Sequence, residues 1–252
     1  KWNGRYVCME TLTNEGILGG KLYVVGTPIG NLSDITLRAL EVLKSVDFII
    51  AEDTRRTLKL LSHFEISKPI DSFNERNSTR KMDKIIEFLK MGKNIAQVSD
   101  AGMPVISDPG ANLIERCYKE GIRVEVVPGP SALTSAVALS GFGGNRFYFV
   151  GFMPKDKNRR RLLRKLEKDE LIERIVFFES PERLRKTLDD ILSILGDHRI
   201  FIARELTKVH EELFIGTVSQ ALGHFEDVRG ELTIVLDLKN SEDNNGEKDA
   251  EY

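Results

Sequence analysis

The sequence predicts an α/β fold made of two α/β domains, each with its own sheet. In both halves of the chain, short apolar runs typical of buried strands alternate with segments that repeat apolar residues at helical spacing. Several of these runs lead directly into turns rich in glycine, proline and charged residues, and ligands bind at such strand ends in open α/β sheets. The run GFGGN at 141–145 is typical of a linker and separates the two halves.

These signals divide the chain into four predicted regions. Residues 1–20 form a flexible N-terminal segment, in which Met9 is a candidate natural start, and 21–144 form the N-terminal α/β domain. Residues 145–240 form the C-terminal α/β domain. The region 241–252 is rich in acids and poor in apolar residues, so we expect a disordered acidic tail.

Each half is predicted to alternate strands and helices. In the first half the predicted strands are 22–25, 48–51, 70–73, 94–98 and 124–127, and the predicted helices are 35–43, 58–64, 82–89, 112–119 and 132–140. In the second half the predicted strands are 147–151, 175–178, 200–203, 213–217 and 232–238, and the predicted helices are a basic helix within 155–168, then 183–195 and 218–225.

Composition narrows the class of protein. The chain has 252 residues, of which 41% are apolar and 30% charged, as in soluble globular proteins. No apolar run reaches the length of a membrane-spanning helix. The two cysteines, Cys8 and Cys117, make no disulfide framework, which favours a reducing cytoplasm. The four histidines are scattered, and no CxxC or HExxH motif predicts a metal site. We expect a cytoplasmic protein without a metal or a membrane partner.

The segment VSDAGMPVISDPG at 98–110 is the strongest candidate for a ligand-binding loop. It follows an apolar strand and contains two acids, two glycines and two prolines, which together give a rigid, pre-shaped backbone. Asp100 and Asp108 offer acceptors for hydroxyl or amino groups. A tight strand-to-helix turn, with Asp108 or a neighbouring residue capping the helix that starts near Pro109, explains the same residues equally well.

Charged residues also crowd the ends of two other strands. The run Glu52 to Arg56 follows the second strand, and Arg204 to Lys208 follows a strand of the second half. This is a functional pattern in parallel sheets. The alternative is that Asp53 or Thr54 caps the following helix while the arginines are solvated.

A series of segments, taken in order, resembles one known family. They are GTPIGNLSDIT, AEDTR, SDAGMPVISDPG, VPGPSALTSAVALSG, FFESPERL, ARELTKVHEE and RGELTIV, within about residues 21–239. Together they resemble the tetrapyrrole-methylase superfamily of S-adenosylmethionine (SAM) enzymes, and within it the branch that methylates the 2′-hydroxyl of a cytidine in 16S ribosomal RNA. Corrin and porphyrin methylases typically carry a GxGxGD-like first turn, which GTPIGN replaces here, and this departure favours the RNA branch. Many members have a further small carboxyl-terminal domain, and the resemblance ends before it.

The resemblance implies two α/β domains of the tetrapyrrole-methylase (class III SAM methyltransferase) type, with SAM in the cleft between them. It also implies a homodimer that acts on the small ribosomal subunit. The cofactor-binding residues that it implies are Pro28, Asp100, Ala101, Val105, Ile106, Ser131, Ala132, Phe178, Glu179, Ser180, Glu205, Leu206 and Thr233.

Methyl transfer to a ribose hydroxyl suggests roles for the charged strand ends. The hydroxyl is a weak nucleophile, so a positioned base would help to remove its proton. Our hypothesis is that Asp53 or Glu205 accepts this proton while Arg55 or Lys208 holds the phosphate. An ion-pair network that only fixes the loops is an equally good interpretation.

The segment KDKNRRRLLRKLEK at 155–168 contains eight basic residues and two acids. RNA affinity depends largely on neutralisation of phosphates, so we expect Arg159, Arg160 and Arg161 to bind the RNA backbone. A solvated helix face is the alternative. Two other functions stay open at this point: a SAM methylase that acts on a tetrapyrrole or another small molecule, and a non-catalytic RNA-binding factor.

Overall fold

The computed structural model describes residues 19–74, 78–143 and 145–239. The predicted acidic tail lies outside these residues, as does nearly all of the predicted N-terminal segment. Both sheets expected from the sequence are present, and the α/β fold class is confirmed. In the part of the chain that is described, no helix is both long enough and apolar enough to span a membrane.

Contacts among the described residues divide the chain into two compact units. The first unit comprises residues 19–27 and 34–129. The second comprises residues 28–33 and 130–239. Each unit contains one of the two sheets.

The first unit is built on a five-stranded parallel sheet. Its strands are β1 Lys21–Val25, β2 Phe48–Ala51, β3 Ile70–Ser72, β4 Ile95–Val98 and β5 Arg123–Val127. Its helices are α1 Leu37–Ser45, α2 Thr54–His63, α3 Ser78–Lys90 and α4 Ala111–Lys119. The strand order is β3-β2-β4-β1-β5, so β4 is central, and all four of its residues are buried.

Alternate strand residues bury their side chains on opposite faces of this sheet. Leu22 packs with residues of α3 and α4, including Leu89. Val25 packs on the other face with residues of α1 and α2, including Leu43. With helices on both faces and all strands parallel, the loops that follow the strands gather at one edge of the sheet.

The second unit contains a mixed five-stranded sheet. Its strands are β6 Tyr148–Phe152, β7 Arg174–Glu179, β8 Arg199–Arg204, β9 Glu212–Thr217 and β10 Leu232–Asp237. Its helices are α5 Ala132–Ser140, α6 Asp156–Leu166, α7 Pro181–Ile194 and α8 Val218–His224. A short 3-10 helix, Leu32–Asp34, precedes α1 in the chain; residues 32 and 33 are assigned to the second unit and residue 34 to the first. The strand order is β6-β7-β10-β8-β9; β6 and β7 are parallel, and the other pairs are antiparallel.

Helix α5 lies with the second sheet, whereas the sequence analysis put its residues in the first domain. Its buried residues Ala136 and Val137 belong to the same apolar cluster as Val176 of β7 and Val235 of β10. Ile29, from the first turn, joins this cluster. The contact boundary therefore falls at Gly129, earlier than the GFGGN run. Small side chains on α5 allow its backbone to approach the second sheet closely. The GFGGN run, from which the domain boundary was predicted, gives no information about this packing.

The central strand of the second sheet should dominate the stability of that unit. Ile234 is fully buried in β10, between Phe177 of β7 and Ile202 of β8. We expect Ile234→Ala to lower the free energy of unfolding by about 2–5 kcal/mol, because it leaves a cavity in a close-packed core. Urea denaturation measures this change. The control, Val126→Ala on the exposed face of β5, should change it by less than about 0.5 kcal/mol. Equal effects would contradict the assignment of the core.

Candidate functional site

Three loops meet at the carboxyl edge of the parallel sheet and form a polar pocket of about 650 Å³. The loops follow β2, β3 and β4. The pocket is lined by Glu52, Asp53, Thr54, Arg55, Ser72, Asn74, Asp100, Ser107 and Pro109. The structure thus brings the AEDTR segment together with the SDAGMPVISDPG segment, because β2 and β4 are neighbouring parallel strands.

The loop after β4 holds an unusual backbone. Val105 and Ser107 have φ angles of 75° and 69°, a region that a β-branched residue such as valine rarely adopts. Two backbone bonds between Thr27 and Gly102, of 2.9 and 3.1 Å, fix the start of the loop. Non-glycine residues in such conformations concentrate at ligand sites, where the surrounding structure compensates the strain. Ile106, between the two strained residues, is 46% exposed although it is large and apolar.

A single carboxylate joins two of the loops. Asp100 Oδ1 accepts a hydrogen bond of 2.9 Å from the backbone nitrogen of Asp53, and Oδ2 lies 3.5 Å from Nε of Arg56. The side chain of Asp100 stays 24% exposed. Asp100 therefore has a structural partner on each oxygen and still faces solvent at the pocket.

Asp53 is the N-cap residue of helix α2, which agrees with the alternative that a residue of this run caps the helix. Its Oδ1 accepts from the backbone nitrogen and from Nε of Arg55 at 2.9 and 3.0 Å, and Oδ2 accepts from Nη2 at 2.6 Å. These side-chain and backbone hydrogen bonds lower the pKa of Asp53 to about 2. A carboxylate with this pKa is a weak proton acceptor at neutral pH. The Arg55 side chain is 86% exposed, so its guanidinium remains accessible.

Asp108 does not cap helix α4, because Gly110 takes that position without a side-chain cap bond. Gly110 has a φ of 133°, a backbone conformation that residues with a side chain rarely adopt, and a Cβ there would lie 1.8 Å from Nε2 of the buried Gln97. Burial raises the pKa of Asp108 to about 6, and the charge of Asp100 adds to the shift while the Ser99 hydroxyl opposes it. Asp108 is therefore a more basic carboxylate than Asp53.

The ARELTK loop follows β8 in the second unit and is also strained. Glu205 and Thr207 have φ angles of 51° and 65°. Lys208 Nζ lies 2.8 Å from Glu205 Oε1 and 3.1 Å from Glu231 Oε2, and the backbone nitrogen of Glu231 donates to Glu205 at 2.8 Å. The first turn packs here, since a Cβ on Gly30 would lie 2.5 Å from Cγ of Lys208.

The Glu205–Lys208 pair favours the charged form of both groups. Burial raises the pKa of Glu205, but hydrogen bonds from Lys208 and from the Glu231 backbone outweigh it, so the pKa is lowered. Burial lowers the pKa of Lys208, but hydrogen bonds to Glu205 and Glu231 outweigh it, so the pKa is raised. Like Asp53, Glu205 is held as a paired anion.

The remaining residues of the predicted cofactor site lie in separate places within each unit. Ala101, Val105 and Ile106 share the strained loop after β4 in the first unit. Those in the second unit are Pro28 in the first turn, Ser131 and Ala132 at the start of α5, Phe178, Glu179 and Ser180 at the end of β7, Leu206 in the ARELTK loop, and Thr233 in β10.

Within the second sheet, Thr233 lies between Phe178 of β7 and Ala203 of β8. The neighbouring Glu179 is a different case, because its side chain is 0% exposed. Its Oε2 accepts from the hydroxyl of Thr187 at 2.5 Å, and its Oε1 accepts from the Ser180 nitrogen at 2.8 Å. The Glu179 carboxylate is therefore a structural group and is not available to a ligand.

The three arginines predicted to bind RNA differ in exposure. Arg160 and Arg161 are exposed on helix α6. Arg159 is 2% exposed and forms an ion pair with Asp190, whose Oδ2 lies 2.6 Å from Nη2. The expectation that Arg159 contacts the RNA backbone is therefore corrected, since its guanidinium lies inside the unit.

Comparison with known proteins places the chain in a family. The family model described as Tetrapyrrole (Corrin/Porphyrin) Methylases matches residues 21–222. A ribosomal RNA small subunit methyltransferase I from Thermotoga maritima is 62% identical, over 87% of this chain and 99% of its own length. The chain belongs to the tetrapyrrole methylase family. Relatives with the same name from Bacillus subtilis and Escherichia coli O157:H7 are 46% and 42% identical, over 89% and 86% of this chain and 77% and 78% of their own lengths.

Solved structures agree with the tetrapyrrole methylase fold. A uroporphyrin-III-C-methyltransferase from Thermus thermophilus aligns with a TM-score of 0.63 at 18% identity, over 87% of this chain and 94% of that one. A diphthine synthase aligns with a TM-score of 0.65 at 13% identity, over 86% and 89%. A further structure of the Thermus methyltransferase, complexed with S-adenyl homocysteine, aligns with a TM-score of 0.63 at 16% identity, over 86% and 97%. At these identities the likeness shows the fold alone.

Two features of the site were not selected from the sequence. Glu231 and Glu205 both form an ion pair with Lys208. The sequence feature that could have identified Glu231 is its position after Gly230, just before β10, which is antiparallel to β8. The high pKa of Asp108 had no sequence signal, because it depends on burial and on the nearby Asp100. Among the described residues, no group of three or more histidine, cysteine or acidic side chains could hold a metal ion.

The pKa of Asp108 predicts a pH-dependent effect on stability. The native pKa of about 6 lies above the ordinary 3.8, so the unfolded chain loses this proton at lower pH and the group destabilises the native state as pH rises from about 4 to 6. Asp108→Asn removes this penalty. We expect its free energy of unfolding, relative to the wild type, to increase across that range and then level off. Urea denaturation at a series of pH values measures it, and a difference independent of pH would contradict the burial of this carboxyl.

Proposed function

We propose that this chain is a SAM-dependent methyltransferase that methylates the ribose 2′-hydroxyl of a cytidine in 16S rRNA of the small ribosomal subunit. The observation that carries the proposal is the 62% identity to a ribosomal RNA small subunit methyltransferase I along 99% of that protein. The uroporphyrin and diphthine enzymes share only the fold at 13–18% identity. A ribosomal RNA substrate is therefore better supported than a tetrapyrrole.

The strained loop after β4 has the chemistry to hold SAM. Ile106 presents an exposed apolar side chain suited to the flat face of an adenine, and Asp100 keeps an accessible carboxylate that suits hydroxyl or amino donors. Val105 and Ser107, on either side of Ile106, have positive φ angles that give the loop a defined backbone conformation for ligand binding. In the second unit, the strained ARELTK loop offers a similarly fixed backbone around Leu206. Bound SAM would supply an activated methyl group on a sulfonium.

The ion pairs Asp53–Arg55 and Glu205–Lys208 are better suited to fixing the conformation of their loops than to proton transfer. Asp53 and Glu205 are each held by a cation, which lowers the pKa of each carboxylate and weakens it as a base. Arg55 is exposed beside the pocket and can hold a phosphate of the substrate. We therefore favour the ion-pair interpretation for the carboxylates and keep the phosphate role for Arg55. The placement of Lys208 between two glutamates makes it a weaker candidate for that role.

The basic helix α6 supplies a surface for the RNA backbone. Its exposed face carries Arg160, Arg161, Arg164 and Lys165. Neutralising phosphates with such side chains gives affinity without sequence specificity, whereas an unpaired base is the usual target of sequence recognition in RNA. The homodimer implied by the resemblance and the cytoplasmic location expected from the cysteine content remain part of this proposal. Light scattering of the purified protein tests the first.

The test of function is methyl transfer from labelled SAM to small-subunit particles and to isolated 16S rRNA. Mass spectrometry of the digested RNA should find a 2′-O-methylcytidine that depends on the protein. Label on uroporphyrinogen with none on RNA would favour the small-molecule alternative. RNA binding without SAM binding in calorimetry would favour the non-catalytic alternative, and either result would overturn the proposal.

Single-turnover rates distinguish a base from a loop support. We expect Asp53→Ala and Glu205→Ala to slow methyl transfer less than about tenfold at saturating RNA and SAM, because a positioned general base is worth roughly 10²–10⁴-fold. Most of their effect should appear as weaker SAM or RNA binding. The matched variants Arg55→Ala and Lys208→Ala break the same pairs from the cationic side. A loss above about a hundredfold, confined to the carboxylate variants, would identify a base instead.

The salt dependence of RNA binding tests helix α6. Each lost phosphate contact reduces the slope of log affinity against log salt by about 0.7 for a single strand. We expect Arg160→Ala and Arg161→Ala each to reduce the slope by about this amount. The control is Arg116→Ala on α4, an exposed arginine paired with Glu120. A slope unchanged in both α6 variants would remove this helix from the RNA surface.

A further inference from the structure

On helix α6, the helical spacing of the buried residues predicts an apolar side chain at position 159, but the residue there is an arginine. The residues that face the core are Arg159, Leu163 and Leu166, spaced four and three apart. Both leucines are at most 5% exposed, and Arg159 is 2% exposed. A buried ion pair is rarely more stable than an apolar packing of similar volume, so stability alone gives little reason for this arginine.

The guanidinium of Arg159 is buried in the second unit, and each of its three nitrogens has a partner there. Nε and Nη2 both lie close to Oδ2 of Asp190 on α7, at 2.7 and 2.6 Å. Nη1 donates to the hydroxyl of Thr187 at 3.3 Å, and that hydroxyl donates to Glu179 at 2.5 Å. The guanidinium is thus oriented by two residues of α7, and these contacts hold α6 against α7.

The same aspartate also faces the RNA surface. Oδ1 of Asp190 lies 3.7 Å from Nη1 of Arg160, the next residue along α6. The side chains of Arg159, Asp190 and Arg160 are 3%, 15% and 46% exposed, so the carboxylate lies between a buried cation and an exposed one. Its close contacts are to Arg159, and its contact to Arg160 is long.

We propose that Arg159 is a positioning residue for RNA binding: it occupies Asp190 so that the neighbouring Arg160 stays available to a phosphate. Without Arg159, no buried cation would neutralise Asp190, and its charge would act on Arg160. Two opposite charges this close to each other near a protein surface attract more strongly than they do in bulk water. The carboxylate would then compete with the phosphate for the same guanidinium. This inference rests on the proposed function, in which Arg160 binds RNA.

The test compares the salt dependence of RNA binding among variants of these three residues. Arg159→Met keeps an unbranched side chain in the core and should reduce the slope by about 0.7, as Arg160→Ala does. Adding Asp190→Leu to Arg159→Met removes the competing carboxylate and should restore the wild-type slope. Arg159→Met combined with Arg160→Ala should show no loss beyond Arg160→Ala alone. SAM affinity should be the same in all four proteins.

The outcomes separate this inference from the proposed function. If Arg160→Ala leaves the slope unchanged, both the RNA role of Arg160 and the inference fail. If Arg160→Ala reduces the slope while Arg159→Met does not, the inference alone fails. A loss in Arg159→Met that Asp190→Leu does not restore would show a general disturbance of α6 and would also overturn it. Should Arg159→Met fold poorly by circular dichroism, Arg159→Gln, which also removes the positive charge but keeps a polar side chain, provides the same comparison.

Discussion

The hydrogen bond from the Asp53 backbone to the Asp100 carboxylate joins the loops after two neighbouring parallel strands, and the candidate site in the first unit depends on it. Parallel strands bring their following loops to one edge but do not fix the shape of those loops. Here Asp100 fixes one side, and the backbone bonds between Thr27 and Gly102 fix another. Val105 and Ser107 can keep their strained backbone because the loop is anchored around them.

A second constraint is the pairing of charge around the functional loops. Asp53 with Arg55, and Glu205 with Lys208, are each held as ion pairs whose partners shift the pKa toward the charged form. Such pairs fix loop geometry and leave few groups free for proton transfer. Asp108 is the exception, because burial and a like charge raise its pKa. The loops of the first unit thus contain carboxylates with opposite pKa shifts, Asp53 after β2 and Asp108 after β4.

Much of the fold could be predicted from the sequence, because alternating apolar runs and helical periods are local properties. The positions of AEDTR and SDAGMPVISDPG after strands could also be predicted. That the two segments meet depends on the pairing of β2 with β4, which the sequence analysis did not predict. The grouping of α5 with the second sheet was not predictable in this way, since it depends on which sheet its small side chains contact. The burial of Arg159 had a local signal, its spacing with Leu163 and Leu166, but the surrounding basic residues obscured it.

The central claim is that the loop after β4 holds the methyl donor. A crystal structure with S-adenosylhomocysteine, the product of the donor, tests this most directly. The account predicts the adenosine in contact with the loop from Asp100 to Ile106, with the adenine against the exposed side chain of Ile106. An adenosine bound away from this loop, with its backbone unchanged, would contradict the account.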